Sequence, residues 1–296
     1  MTADSGLCIV DKPAGCTSHD VVARVRRLAG TRRVGHAGTL DPMATGVLVI
    51  GIERATRLLG HLALTDKSYD ATIRLGQSTL SDDADGEVLT TTAADHLTDL
   101  SVRRAAAGFV GDIDQVPSAV SAIKVSGRRA YARVRAGEQV RLVARRITIA
   151  RLDVAAVRRV RPGSIEVDVR VDCSTGTYVR AIARDLGAAL GVGGHLTALR
   201  RTRVGPFGAS VACSLDDLAA LTSPAQIALS SAVQACFPRR DVDAEQARLL
   251  SHGRPLPAAG ITGTYGVFGP EGEVVALVAE RDHLARPVVV LAPSVS

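Results

Sequence analysis

A chain of 296 residues, 46% of them apolar, can bury one large core or a large and a small one. No run approaches the roughly 18 apolar residues that cross a bilayer, and the apolar run from Leu7 to Val10 has no basic flank before it. Neither a membrane span nor a signal peptide is therefore expected, and the chain reads as cytoplasmic. The formal charge is +6: residues up to 238 carry 30 basic and 23 acidic side chains, and those from Arg239 on carry 6 and 7.

In chain order, Leu7 to Val10 predicts a short strand and Asp11 to Gly15 a loop. Thr17 or Ser18 caps a helix with Val21, Val22, Val25 and Leu28 on its apolar side, ended by Gly30. The stretch Gly35 to Gly46 then encloses one carboxylate, Asp41, among Gly35, Gly38 and Gly46 and directly before Pro42. Pro42 fixes its own φ and pushes Asp41 out of the helical region, so the acid sits on a stiff turned loop. The apolar run Val47 to Ile50 anchors that loop as a buried strand. Such a loop suits an acid that must be aimed, and equally a turn whose Asp caps its own backbone. A helix from about Glu53 to His61 follows, burying Ala55, Leu58, Leu59 and Leu62.

Lys67 to Leu75 alternates, with Tyr69, Ala71, Ile73 and Leu75 on one face and Ser68, Asp70, Thr72 and Arg74 on the other: a half-buried strand. Ser81 to Glu87 begins like a calcium loop, but the twelfth position from Ser81 is Thr92, so an acidic turn is expected. Thr98 or Asp99 starts a helix through Ala107, and Tyr131 to Ala136 predicts a basic one. From Lys124 to Arg161, twelve basic residues stand against two acidic ones, interleaved with Val, Tyr, Ile and Leu. That pattern predicts a folded basic face, for which nucleic-acid phosphate is the natural partner.

Ile147 to Val154 and Ser164 to Cys173 predict strands, the second with Ile165, Val167, Val169 and Val171 on one face. Thr175 or Thr177 caps a helix from Tyr178 to Leu186, closed by Gly187. Arg180 and Arg184 share one side of it, and its first turn, an end that attracts anions, carries Tyr178 and Arg180. His195 has no partner at metal spacing and is expected to be structural, while Arg200, Arg201 and Arg203 add to the basic surface. Ser214 to Leu221 and Pro224 to Val233 read as helices, and Cys236 to Arg239 as a domain boundary. Beyond it a helix, Ala244 to His252, precedes strands near Thr264–Phe268, Glu273–Ala279 and Pro287–Leu291, with a turn at Gly269–Gly272. The five cysteines are scattered, with no Cys-x-x-Cys, which predicts buried free thiols rather than disulfides or zinc.

The run Gly-His-Ala-Gly-Thr-Leu-Asp-Pro-Met-Ala-Thr-Gly-Val-Leu from Gly35 closely resembles the signature of the bacterial tRNA pseudouridine-55 synthases. Asp11-Lys12-Pro13, Lys67-Ser68-Tyr69 and the stretch from Gln115 to Lys124 are similar to further motifs of that family. Val116 departs from its usual Pro, and Val120 stands where an aromatic is common. The resemblance implies a catalytic nucleophile at Asp41, an arginine paired with it at Arg180, and Tyr69 stacked on the target uracil. It further implies substrate contacts at His36, Tyr178, Leu199, Lys67, Lys12 and Lys124.

The implied fold is α+β: a mixed, largely antiparallel sheet flanked by helices over residues 1–238, with a small β-rich, PUA-like RNA-binding domain over 239–296. The implied reaction turns uridine into pseudouridine at position 55 in the TΨC loop, on the T arm of tRNA. It adds and removes no atoms, so no cofactor or metal is expected, nor a membrane. A monomer is expected. A noncatalytic RNA-binding protein with the same basic face, and a synthase acting on another RNA, remain open at this point.

Overall fold

A computed structural model describes residues 4–118, 124–125, 128–129 and 142–292, the four residues between 124 and 129 by their backbone only. Tyr131 and the basic helix expected after it lie outside the described residues, as does Val120. The chain falls into two compact units, one formed by residues 1–64 and 204–296 and the other by residues 65–203. The fold is α+β, with mixed, largely antiparallel sheets, flanking helices and a β-rich C-terminal part.

In the first unit, the strand Gly6–Lys12 lies between Ile227–Ala228 and Thr45–Ile52, antiparallel to both. Leu7 to Val10 are all buried, which is why the run is continuously apolar rather than alternating. Cys8, Val10, Leu48 and Ile50 pack on Val21, Val22 and Val25 of the helix Ser18–Ala29. Leu7, Ile9, Val47 and Val49 face the opposite way and share a core with Leu58, Leu62, Val233, Phe268, Leu277 and Leu291.

The last three belong to the part beginning at Arg239, where a five-stranded sheet runs Arg239–Asp241, Thr264–Phe268, Val274–Arg281, Leu284–Val290, Leu256–Pro257. The Arg54 and Arg57 guanidinium groups donate to the carbonyls of Leu291 and Val290, at 3.3 and 2.6 Å. The C-terminal sheet is thus built into the core beneath the strand that follows the Asp41 loop.

Two expected helices differ here. Glu53 to His61 divides into a 3-10 turn, Glu53–Leu58, and a short helix, Leu59–Ala63. Glu53 has φ 52°, and the Thr56 hydroxyl takes the Glu53 carbonyl at 2.7 Å, competing with the helical ladder. Pro224 to Val233 is not one helix: Ile227–Ala228 completes the sheet edge beside Gly6 and Leu7, and the helix is Leu229–Cys236.

In the second unit the strand order is Gly194–Val204, Lys67–Leu75, Ser164–Cys173, Arg145–Arg161, Gly111–Gln115. Tyr69 stands opposite Val171, Ala71 opposite Val169, Ile73 opposite Val167 and Leu75 opposite Ile165, so the two alternating patterns meet on one buried face. The helices Asp99–Ala107 and Val179–Ala189 pack on this sheet. Its other face is ionic, with Arg74 on Glu166 and Arg158 on Asp168, both at 2.7 Å. Gly187 does not close its helix, which runs to Ala189. A Cβ on Gly187 would lie 2.2 Å from the Gly193 backbone, so this glycine serves close approach rather than termination.

Candidate functional site

The Asp41 loop is tied down from three sides within the first unit. The Ser18 hydroxyl, buried at the helix start, accepts from the Leu40 N–H at 2.8 Å and donates to the Leu40 carbonyl at 3.1 Å. Beyond Asp41, the Pro42 carbonyl accepts from the Gly15 N–H at 2.9 Å and from the Lys12 ammonium at 3.3 Å. Ala44 N–H closes a turn onto the Asp41 carbonyl at 3.1 Å. Gly38 and Gly46 flank the loop with φ 101° and 97°, angles an L side chain rarely adopts. Asp41 itself is half-buried.

Thr17, not Ser18, caps the helix, through a reciprocal box with Asp20. Those hydrogen bonds, from the Thr17 side chain first, hold the Asp20 carboxyl below the usual range.

Lys12, which the resemblance puts among substrate contacts, is wholly buried in the structure, and its ammonium also donates to the carbonyls of Pro13 (2.9 Å) and Cys16 (2.7 Å). A cation so buried must be satisfied by fixed oxygens, and here they are the loop's own. His36 ends the strand Val34–His36 and meets the His19 ring edge-on, centroids 5.5 Å apart.

The second unit carries Tyr69, Lys67, Tyr178, Arg180 and Leu199. Tyr69 and Leu199 are buried to 8% exposure. Lys67 is also buried, its ammonium donating to the Thr65 carbonyl at 2.7 Å; burial, with Arg201 beside it, pulls its pKa down to about 8. Arg201 requires a correction: at 1% exposure it is interior, not part of the basic surface, because the strand Gly194–Val204 turns it inward.

Neither Thr175 nor Thr177 caps the next helix; Tyr178 is its N-cap and supplies no side-chain cap. Instead the Gln115 amide brackets Tyr178, donating to its carbonyl at 3.1 Å and accepting from its N–H at 2.8 Å.

Arg180, in the first turn, donates to Asp83 at 3.1 Å and to the Ser81 carbonyl at 3.0 Å, with both charged side chains 7% exposed. Arg184 reaches Asp82 at 3.3 Å and the Val116 carbonyl at 2.7 Å, and the Ser118 hydroxyl holds the Ser81 carbonyl at 3.1 Å. Burial still outweighs Arg184 and raises the Asp82 pKa. The acidic turn is therefore an interior socket for two arginines. The four-residue spacing of Arg180 and Arg184 is the sequence signal that the turn had partners; Gln115 opens a family-like stretch, but nothing in the sequence pairs it with Tyr178.

His195 is buried, with Nδ1 3.1 Å from the Gln77 carbonyl, as a structural role requires. Lys124 lies in a two-residue strand described by its backbone alone.

Three family models tile the chain: "TruB family pseudouridylate synthase (N terminal domain)" over residues 26–179, "tRNA pseudouridylate synthase B C-terminal domain" over 180–235, and "tRNA Pseudouridine synthase II, C terminal" over 237–292. The chain is 59% identical over 290 residues to the tRNA pseudouridine synthase B of Mycobacteroides abscessus, covering 98% of this chain and 97% of that one. It is 58% identical over 292 residues to the protein of the same name from Thermobifida fusca, covering 98% and 99%. Among solved structures, one titled "Crystal Structure of a Cbf5-Nop10-Gar1 Complex" contains a chain with TM-score 0.74 and 25% identity, covering 98% of this chain and 85% of that one. A braced aspartate loop, a helix-borne arginine in an acidic socket and these matches along the whole length lead to one assignment: the chain belongs to the TruB family of pseudouridylate synthases.

Proposed function

We propose that the protein converts uridine to pseudouridine at position 55 in the TΨC loop of tRNA, with Asp41 as the catalytic group. The observation that carries this reading is the Asp41 loop, whose backbone is fixed by Ser18, Gly15 and Lys12 while its acid stays half-buried rather than sealed in. Near-full-length identity to proteins named tRNA pseudouridine synthase B supports tRNA as the substrate.

The bond from the ribose C1′ to uracil N1 breaks, the base turns, and C5 bonds to C1′. N1 gains a proton and C5 loses one, so the atoms balance. A carboxylate is needed at the sugar, either attacking C1′ or acting there as a base. An ordinary Asp is ionised at neutral pH and needs aim more than activation.

The base must first leave its stack, at a cost of a few kcal/mol. Stacking on Tyr69 returns about 1–3 kcal/mol of that. In this reading Tyr178 and Leu199 bound the uracil, His36 occupies the opened RNA loop, and Arg180 is the cation that accompanies the Asp41 carboxylate. Lys12, Lys67 and Lys124 serve the RNA, and Lys12 also holds the loop at Pro42. Reaction in the cytoplasm by a monomer, on the T arm, completes the reading.

Mapping pseudouridine in tRNA from cells lacking this chain tests the position. Uridine retained at 55, restored to pseudouridine by the wild-type gene, is expected; an unmodified position elsewhere with 55 intact would overturn it.

A further inference from the structure

From Val21 to Leu40 the chain holds five arginines and no acidic residue. The helix Ser18–Ala29 ends at Gly30 in the left-handed region, and the Thr31 N–H returns to the Arg26 carbonyl at 3.3 Å. This tight reversal sets Arg26 and Arg27 against Arg32 and Arg33, all four exposed.

Two of them are held. Arg26 donates to the Val34 carbonyl at 3.0 Å, and Arg33 reaches Glu53 at 3.4 Å, a carboxylate that Thr31 also engages. The Arg27 and Arg32 guanidinium groups make no ion pair or hydrogen bond among the described residues. The helix dipole accounts for cations in the last turn, at about 0.3–1 kcal/mol each, but not for Arg32 and Arg33 beyond the cap. Four like charges on one turn repel each other and are favourable only beside a polyanion. Arg33 leads directly into the strand Val34–His36, so Arg32 lies at most about 13 Å of extended chain from His36.

We infer that Arg27 and Arg32, flanked by Arg26 and Arg33, form a phosphate-gripping surface for the RNA backbone beside the target loop. This rests on the reading of His36 as an RNA contact. Arginine suits it because its planar fork takes two phosphate oxygens at once.

The test is binding of a tRNA transcript across a salt series by wild type and by Arg27→Gln/Arg32→Gln. Arg104→Gln/Arg170→Gln, which removes the same charge from exposed sites elsewhere, is the control. Losing two phosphate contacts should flatten the log–log salt slope by about 1.4 and weaken binding about 25-fold at 0.1 M salt. The control should keep the wild-type slope, and all three proteins should melt together. An unchanged slope in the first variant, or an equal change in the control, overturns the inference. Tritium release from C5-labelled tRNA by wild type, run alongside, separates this outcome from failure of the proposed function itself.

Discussion

Replacing Ser18 by Ala removes the clamp that fixes Leu40, the residue before Asp41. Ser18 is 1% exposed and Leu40 4%, so water cannot replace the two lost hydrogen bonds. One buried amide N–H and one buried carbonyl are left unsatisfied, each costing about 1–3 kcal/mol. A total of about 2–6 kcal/mol follows, which for a chain of this size lowers Tm by roughly 3–10 °C. The loop, no longer held at Leu40, lets the Asp41 carboxylate drift, and a 1 Å error in such a group costs about 10²-fold in turnover.

Thr17→Ala is the matched comparison. It weakens the cap of the same helix by about 0.5–2 kcal/mol and leaves Leu40 tied. Single-turnover tritium release, corrected for folded fraction, should fall by one to two orders of magnitude in Ser18→Ala and stay near wild type in Thr17→Ala. Equal rates in the two variants would refute the idea that the loop must be braced to aim its acid.

Three further outcomes are expected. Asp83→Ala strips a buried carboxylate from Arg180 and should cost about 3–5 kcal/mol in urea unfolding; a loss under 1 kcal/mol would mean the socket is not needed. Burial pulls the Lys67 pKa down to about 8 in the fold from its ordinary 10.5 unfolded, so between these values the unfolded chain binds more protons. Stability should therefore rise from pH 8 to 10.5 in wild type relative to Lys67→Met, a difference that removes the opposite trend of the buried thiols; a flat difference would contradict the burial of this ammonium. Ending the chain at Pro238 removes Phe268, Val274, Leu277 and Leu291 from the shared core, about 6–12 kcal/mol of apolar burial. The truncated chain should lose its cooperative melt, whereas an intact melt would show the C-terminal sheet to be dispensable.

Much of this was legible before any coordinates. Periodicity gave the strands Lys67–Leu75 and Ser164–Cys173 and their buried faces, because each exposes one side and buries the other. Thr98 and Gly30 marked helix ends by cap chemistry that is local in sequence. What failed was long-range. Arg201 is a cation whose burial depends on how its strand sits among strands far along the chain, and charge alone reads as surface. Gly187 looked like a stop because its packing against Gly193 is tertiary. The Asp41 loop is legible through its glycines, its proline and its family resemblance; Ser18 and Gln115 stand in recognisable stretches, but nothing local shows that they act on backbone atoms 22 and 63 residues away.

The central claim is that the Asp41 carboxylate performs the isomerisation. Asp41→Asn keeps the size and the loop's backbone bonds while removing the negative charge. On C5-tritiated tRNA, wild type should release the label while Asp41→Asn releases none above background, with RNA affinity and melting temperature unchanged. Release by Asp41→Asn at the wild-type rate would contradict the account.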